Sequence, residues 1–198
     1  VFEGYSEDPE LTARLAAAFV RGVQSHDVAV TVKHFVANDT EVERMTVDVQ
    51  MAGSTLREVY LRPFEAAVID GGAWGIMAAY NRLDGQHGAE NANLLRTILR
   101  DEWGFDGFIV SDWGGGHDTV GAANAGLTLA MPGPSPVFGG ALVDAVRAGM
   151  VDEADVDERV TELDRLAGRT RAAERPADRP QQSVDDPDER ALCREAAV

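Results

Sequence analysis

Runs rich in β-branched and aromatic residues alternate with helical patterns along most of this chain. The four runs lie at 28–32, 74–78, 108–110 and 127–130, and each is followed by a segment with apolar residues three to four positions apart. A further helical pattern, at 9–25, precedes the first run. This alternation predicts an α/β fold in which right-handed crossover helices join parallel strands. Four such strands are half of an eight-stranded barrel, which ordinarily needs about 250 residues.

The third run leads into the most informative stretch of the sequence, Gly104–Gly114. Phe108, Ile109 and Val110 predict a buried strand, and the chain direction delivers Asp112 to its carboxyl end. Active sites of α/β folds are built at this edge of the sheet. A lone aspartate at a strand end could equally cap the next helix, so the other strand ends have to be compared with it.

Polar residues also follow two other predicted strands. Lys33 and His34 come after the first strand, and Tyr80 and Asn81 come after the second. Lys33 is the only lysine among 18 basic residues, which indicates that its position requires an ammonium rather than a guanidinium. Singly, Lys33 could form a structural ion pair, His34 could be a buried histidine and Tyr80 a packing residue. Because parallel strands end at one face, their convergence with Asp112 favours a common site.

The residue types in this predicted site suit attack on a sugar. A glycosidase needs a carboxylate beside the anomeric carbon, donors for the ring hydroxyls and an aromatic wall. Asp112 supplies the carboxylate and Trp113 the wall, while Lys33, His34 and Arg44 supply donors. Schiff-base chemistry at Lys33 is the alternative on this fold, but it requires an amine in an apolar pocket, and the polar neighbours fit that poorly.

The helical patterns predict which faces are buried. The first helix is expected to start at Pro9, with Asp8 as its cap, and to bury a stripe of Leu11, Leu15, Ala18, Phe19 and Val23. The second is expected from Ser54 to Asp70, bent or broken at Pro63, with an inward face of Leu56, Val59, Tyr60, Phe64, Ala67 and Val68. Later helices are expected at 93–103, 117–124, 140–148 and 153–168.

Composition excludes several classes of partner. The chain has 34 acidic and 18 basic residues and a formal net charge of -16, which argues against nucleic acid or an anionic membrane as a partner. No apolar run approaches the roughly 20 residues of a membrane span. The single cysteine, Cys193, can form no internal disulfide and offers no metal cluster. The first residues carry no initiator methionine or leader pattern, so the cellular compartment stays open.

Composition also changes near the end of the chain. From Arg169 onwards three prolines occur among polar residues, which is typical of a linker. We therefore predict a partial (β/α)8 barrel over 1–168, an interdomain linker over 169–186 and the first helix of a truncated second domain over 187–198.

Five motifs of this sequence together resemble glycoside hydrolase family 3, of the β-glucosidase and β-xylosidase type. They occupy 2–9, 33–35, 44–45, 77–81 and 104–114, and the resemblance covers roughly residues 1–170. It implies the C-terminal half of the catalytic barrel, followed by the start of an α/β-sandwich domain. The implied substrates are β-linked oligosaccharides or aryl and alkyl glucosides, cleaved at a terminal non-reducing β-D-glucosyl residue. No metal or organic cofactor is expected.

The resemblance also implies a role for each site residue. Asp112 would be the nucleophile of a retaining mechanism that passes through a covalent glycosyl-enzyme. The first sugar subsite would be formed by Lys33, His34, Arg44, Met77 and Tyr80. Trp113 would separate that subsite from the site of the leaving group.

Two departures from the family pattern leave alternatives open. An Asp and an Arg that precede the first motif in the family, and the general acid/base Glu of the sandwich domain, fall outside this sequence. The N-acetylglucosaminidase subgroup carries a His-Asp dyad on the loop that is 36–44 here, which has no histidine, although Asp39, Glu41 or Glu43 could act as a local acid. The chain could therefore also be a catalytically incomplete carbohydrate-binding or interaction fragment.

Overall fold

The computed structural model describes residues 4–174 and 185–197. The start of the first motif, at Phe2 and Glu3, and most of the predicted linker, at 175–184, lie outside the described residues. The helices are α1 (Pro9–Gln24), α2 (Gly53–Thr55), α3 (Arg62–Ile69), α4 (Thr119–Ala125), α5 (Gly140–Arg147), α6 (Glu153–Arg169) and α7 (Pro187–Ala196). The strands are β1 (Thr31–Phe35), β2 (Asp48–Val49), β3 (Gly75–Ala78), β4 (Arg82–Leu83), β5 (Gln86–His87) and β6 (Phe108–Ser111). Wider π-type helices occupy Leu56–Tyr60 and Asn93–Glu102, and short 3₁₀ turns occupy Gly88–Glu90 and Ala172–Glu174.

The main sheet is parallel, with the strand order β1, β3, β6. At its centre Ile76 pairs with Val32 on one side and with Ile109 on the other. Ile76 and Ile109 are fully buried, as expected for a parallel sheet that is covered on both faces. The predicted order of strands, and their parallel direction, are confirmed for these three strands.

The first and last strand predictions need correction. The first strand covers Thr31–Phe35 instead of 28–32, because pairing with β3, and not the β-branched run itself, decides where it starts. Lys33 and His34 therefore lie inside the strand, near its end. In the fourth run, Leu129 makes a single parallel bridge to Val110 within the described residues. Backbone hydrogen bonds to β6 still hold the segment alongside the sheet.

The first helix forms where it is predicted but buries a different face. The Asp8 side chain accepts hydrogen bonds from two amides of the first turn, which confirms the cap. The predicted stripe is wrong, because Leu11, Leu15 and Phe19 are exposed. The buried residues are Ala13, Ala16, Ala17 and Val20. These small residues let the backbone of α1 approach α3 closely, which the larger side chains would prevent.

The second helical segment breaks as predicted. A π-type turn ends at Tyr60, and α3 starts at Arg62 with Pro63 in its first turn, where the missing N–H needs no partner. Phe64, Ala67 and Val68 are buried as predicted, whereas Val59 is exposed, contrary to the prediction. The wider turn before the break shifts residues around the axis, so spacing that assumes 3.6 residues per turn misplaces Val59.

The main hydrophobic core lies between this sheet and the segments that follow its strands. The 93–102 helix contributes Leu94, Leu95, Ile98 and Leu99, all fully buried, as the sequence predicts. The region predicted as loops also contains a small second sheet of β2, β4 and β5, in which β4 and β5 form a hairpin. This hairpin returns the chain to the carboxyl end of β3.

The C-terminal helices agree closely with their predicted ranges. α5 and α6 start and end within two residues of the predicted positions. α7 begins at Pro187, and the Asp186 side chain caps it by accepting from the Asp188 amide. None of the described helices is both long and apolar enough to cross a membrane.

Candidate active site

Asp112 lies at the edge of the sheet where the parallel strands end. It directly follows β6, while Tyr80 lies two residues beyond β3, and His34 is the penultimate residue of β1. Because the three strands are adjacent and parallel, their ends meet on one side of the sheet. The convergence expected from the sequence is therefore present in the structure.

Both carboxylate oxygens of Asp112 have a nitrogen neighbour. His34 Nε2 lies 3.3 Å from Oδ2, and the Trp113 amide donates a 2.7 Å hydrogen bond to Oδ1. The Asp112 side chain is 13 % exposed. The helix-cap alternative is wrong, because Asp118 caps α4 by accepting from the Gly121 amide. Asp112 is thus a mostly buried carboxylate that two contacts orient at the carboxyl end of β6.

Tyr80 connects two of the strand ends. Its hydroxyl donates a 3.0 Å hydrogen bond to the Trp113 carbonyl, in the residue after Asp112. Burial raises the pKa of Tyr80, and the neighbouring Asp112 carboxylate raises it further. Gly115 makes this approach possible, since a Cβ there would lie 3.3 Å from both the Tyr80 ring and the Asp112 carbonyl. Tyr80 is therefore a neutral phenol at neutral pH, beside the carboxylate.

Arg44 reaches this site from the long polar loop between β1 and β2. Its guanidinium carbon lies 5.1 Å from the centre of the Tyr80 ring, a cation–π distance. Glu41 holds the guanidinium at 3.1 Å. Asp39 of the same loop instead engages Tyr60 by a side-chain hydrogen bond, which raises the pKa of Tyr60. The loop thus delivers one cation to Tyr80, pairs Glu41 with that cation and engages Asp39 with Tyr60.

The other predicted site residues lie around this group. Lys33 is exposed in β1, directly before His34. Met77 is half-buried in β3 and pairs with Val110, two residues before Asp112. The Trp113 side chain is 53 % exposed, so its ring is available to a ligand beside the carboxylate. The roles of these residues toward a substrate stay predictions.

Two histidines at this edge were not predicted. His87, at the end of β5, lies within hydrogen-bond distance of the Tyr80 carbonyl, and its ring is 4.0 Å from that of His117. The sequence signal for His117 was its place five residues after Asp112; nothing comparable marked His87. Asn81, noted in the sequence but given no role, donates from Nδ2 to the Val36 carbonyl and so ties the ends of β1 and β3 together.

The donor set does not indicate a metal centre. No group of three or more His, Cys, Asp or Glu side chains in 4–174 and 185–197 is arranged to hold a metal ion. The arrangement is instead a carboxylate, a phenol, an imidazole and a guanidinium around one strand end, which suits recognition of a polyhydroxylated ligand and attack on it.

Comparison with known families assigns this architecture. Residues 2–166 match the family described as the glycosyl hydrolase family 3 N terminal domain. The chain belongs to glycosyl hydrolase family 3. The suspected resemblance is thereby confirmed, and the matched range includes every predicted site residue.

Curated relatives in this family are named as β-glucosidases. The chain is 48 % identical over 194 residues to a beta-glucosidase of Rhizobium radiobacter, covering 98 % of this chain and 24 % of that protein. It is 42 % identical over 199 residues to the probable beta-glucosidase J of Neosartorya fischeri, covering 99 % of this chain and 23 % of the relative. The chain therefore spans about a quarter of the length of these relatives.

Solved structures of family members share the fold. The beta-glucosidase of Kluyveromyces marxianus in complex with glucose superposes with a TM-score of 0.90 at 35 % identity, covering 99 % of this chain and 24 % of that one. The GH3 beta-glucosidase of Bifidobacterium adolescentis gives a TM-score of 0.86 at 39 % identity, covering 99 % and 28 %. The α/β fold predicted from the sequence is thus similar to the corresponding part of these enzymes.

Proposed function

We propose that these residues form the nucleophile-bearing part of a retaining, exo-acting β-glucosidase. The observation that carries this proposal is Asp112, a mostly buried carboxylate at a strand end, with His34 3.3 Å from one oxygen and a backbone amide at the other. The names of the curated relatives support glucose as the sugar. Family membership and the neighbouring donors support hydrolysis of a glycosidic bond.

In the first step, an oxygen of Asp112 attacks the anomeric carbon of the terminal glucosyl residue. The bond between that carbon and the leaving-group oxygen breaks, and a general acid gives the leaving group its proton. His34 and the Trp113 amide fix the orientation of the carboxylate, so that little reorganisation is needed when it attacks. Lys33, His34, Arg44 and Tyr80 would bind the hydroxyls of the glucosyl ring, Met77 would line the subsite, and Trp113 would stack beside it.

In the second step, water attacks the anomeric carbon of the glycosyl-enzyme. The residue that acted as acid now removes a proton from the water, the bond to Asp112 breaks, and glucose leaves with its β configuration retained. A retaining mechanism places the two carboxyl groups about 5–5.5 Å apart. We take the acid/base to lie in a part of the polypeptide outside these 198 residues.

The proposed domain organisation follows from this assignment. Residues 1–168 would be the C-terminal half of a (β/α)8 barrel, 169–186 a linker, and 187–198 the first helix of an α/β-sandwich domain. β1, β3, β6 and the segment bridged to β6 at Leu129 would supply four successive barrel strands. The extent of the longer relatives leaves room for the remaining strands and for a second domain.

A mechanism-based label tests the nucleophile directly. The full-length gene product is incubated with an aryl 2-deoxy-2-fluoro-β-glucoside, digested and examined by mass spectrometry. We expect the fluoroglucosyl group on the peptide that contains Asp112 and on that residue. Asp118→Asn is the matched control, because Asp118 lies in the same peptide region but caps α4. A label on any other residue rejects the assignment.

The alternative is a catalytically silent carbohydrate-binding fragment. It is favoured by one observation, that the chain covers about a quarter of its relatives. Assays of the isolated 198 residues and of the full-length gene product on the same aryl β-glucoside distinguish the two. Turnover by the isolated chain would reject the fragment alternative. Parallel assays on an aryl β-xyloside and an aryl N-acetyl-β-glucosaminide test for β-xylosidase and β-N-acetylglucosaminidase activity, which are less favoured.

A further inference from the structure

A pair of histidines lies next to the backbone of Tyr80. His87 ends β5 and is half-buried, and His117 belongs to the loop that follows Asp112. Their ring centres are 4.0 Å apart and the planes are tilted by 38°. The hairpin after β3 and the loop after β6 therefore meet through these two rings.

The partners of His87 determine which ring nitrogen carries its proton. Arg82 Nε can only donate, and it lies 3.1 Å from His87 Nε2, so Nε2 must be the unprotonated acceptor. The Tyr80 carbonyl can only accept, and it lies 3.2 Å from His87 Nδ1, so Nδ1 carries the hydrogen and donates it. Both contacts are satisfied together by one neutral tautomer.

The hairpin that carries His87 is packed closely against the backbone on both sides of Tyr80. A Cβ at Gly88 would lie 2.6 Å from the Ala79 carbonyl oxygen, so the backbone after His87 is in direct contact with the backbone before Tyr80. The Gly88 amide also donates a 3.1 Å hydrogen bond to the Asn81 carbonyl. The His87 imidazole is thus held against Tyr80, whose hydroxyl donates a hydrogen bond to the Trp113 carbonyl.

We propose that His87 is a positioning residue for Tyr80: its Nδ1–H holds the Tyr80 carbonyl, and Arg82 fixes the tautomer that can do so. Through Tyr80 the contact orients the phenol and the residue after Asp112. This inference rests on the proposed function, since it concerns the same glycosidase site, and it assigns a role to residues outside the predicted subsite.

The surroundings of His117 favour its neutral ring. Burial lowers the pKa of His117 and the Arg82 guanidinium lowers it further, while Glu90 acts in the opposite direction. Glu90 accepts hydrogen bonds of 2.7 and 2.8 Å from the backbone amides of His117 and Asp118, and these bonds fix the loop that carries His117. The hydrogen-bond partners of His87 define it as an Nδ1–H donor, and the lowered pKa of His117 favours a neutral ring beside it.

A set of substitutions separates a donor from a space-filling ring. The amide nitrogen of asparagine can take the place of Nδ1, whereas that of glutamine takes the place of Nε2. In the full-length gene product we expect His87→Asn to keep kcat/KM on an aryl β-glucoside within about threefold of wild type, while His87→Gln and His87→Leu lose about tenfold, the effect of one hydrogen bond. A packing role would instead rank Gln and Leu above the smaller Asn, and that order overturns the proposal. His26→Asn, in the exposed turn after α1, is the control and leaves kcat/KM unchanged.

A spectroscopic measurement tests the contact without activity. The chain has four histidines, so long-range ¹H–¹⁵N spectra can be assigned by single substitutions. We expect His87 as the Nδ1–H tautomer in the wild-type protein and a shift toward the Nε2–H tautomer in Arg82→Ala; an Nε2–H tautomer in the wild type overturns the proposal.

If the wild type hydrolyses no aryl β-glycoside, the proposed function fails while this measurement stands; if it is active and His87→Asn is as impaired as His87→Leu, only the present inference fails.

Discussion

Two mostly buried carboxylates, Asp112 and Glu162, show how differently one fold can use the same group. The Asp112 side chain is 13 % exposed and the Glu162 side chain 6 %, so burial alone does not distinguish them. Glu162 pairs with Arg100 and Arg159 and also accepts a 2.6 Å hydrogen bond from Thr128. Asp112, at the end of a strand, has an imidazole near one oxygen, the Trp113 amide at the other and the Tyr80 phenol beside it.

The difference lies in the kind of partner. Two guanidiniums are always cationic, so Glu162 is neutralised permanently in the interior between α6 and the 93–102 helix. Burial lowers the pKa of Arg100, which indicates how strongly this cation depends on the opposite charge of Glu162. The described neighbours of Asp112 are instead an imidazole, a backbone amide and a phenol. We therefore interpret Glu162 as structural, and the proposed function assigns the reactive role to Asp112.

The largest expected effect is on catalysis, at Asp112. Asp112→Asn removes the attacking oxygen but keeps the size of the side chain, so kcat on an aryl β-glucoside should fall by at least about 10³-fold in the full-length gene product. The midpoint of thermal unfolding should stay close to that of the wild type, because the amide can still accept from the Trp113 amide. Initial rates and a thermal melt on the same preparation check both parts. Substantial residual turnover would show that Asp112 is not the nucleophile.

The converse effect is expected at Glu162. Glu162→Gln removes the buried counter-charge that Arg100 and Arg159 share, so the free energy of unfolding should fall by about 3–5 kcal/mol. The natural control is Glu158→Gln, because Glu158 contacts the same Arg159 at 2.8 Å but its side chain is 64 % exposed. That surface pair should contribute less than about 1 kcal/mol. Urea unfolding compares the two, and equal losses would remove the distinction between the buried and the exposed partner.

The sequence identified the edge of the sheet correctly, although β1 lies further along the chain than predicted and includes Lys33 and His34. His34, Tyr80 and Asp112 were placed at one edge by chain direction alone, and the structure brings them together. This argument succeeds because adjacent parallel strands must end on the same side of their sheet. It carried no information about Glu162, which lies in a helix so rich in charged residues that it reads as a solvated face.

The face of α1 shows the opposite limit of sequence analysis. The helical spacing of Leu11, Leu15 and Phe19 predicted the helix correctly. The face that is buried, however, is formed by alanines and Val20. Helical spacing identifies the residues that share a face of α1, but it does not identify which of its two apolar faces is buried. That choice depends on the distance to α3, and small residues allow the closer approach. His87 was missed for a related reason, since the hairpin that carries it has only two residues in each strand.

Thr128 offers an intermediate test of the buried cluster. Its hydroxyl donates to Glu162 and accepts a 2.9 Å hydrogen bond from the Ile109 amide of β6. Thr128→Val keeps the shape but leaves that buried amide without its acceptor, so the free energy of unfolding should fall by about 1–3 kcal/mol. Thr128→Ser keeps the hydroxyl and should lose clearly less. Urea unfolding of the pair decides, and a loss as large in the serine variant would assign the effect to the methyl group.

The smallest expected effect is the pH dependence of stability contributed by His117, at the Asp112 edge of the molecule. Because the pKa of His117 is lowered in the folded state, the unfolded chain binds this proton first as the pH falls below about 6.5. The contribution of neutral His117 is thus fully present above that pH and is lost as the pH falls through the folded-state pKa. His117→Asn should flatten this part of the stability profile, whereas His26→Asn in an exposed turn should not. An unchanged slope in His117→Asn would place the titration elsewhere.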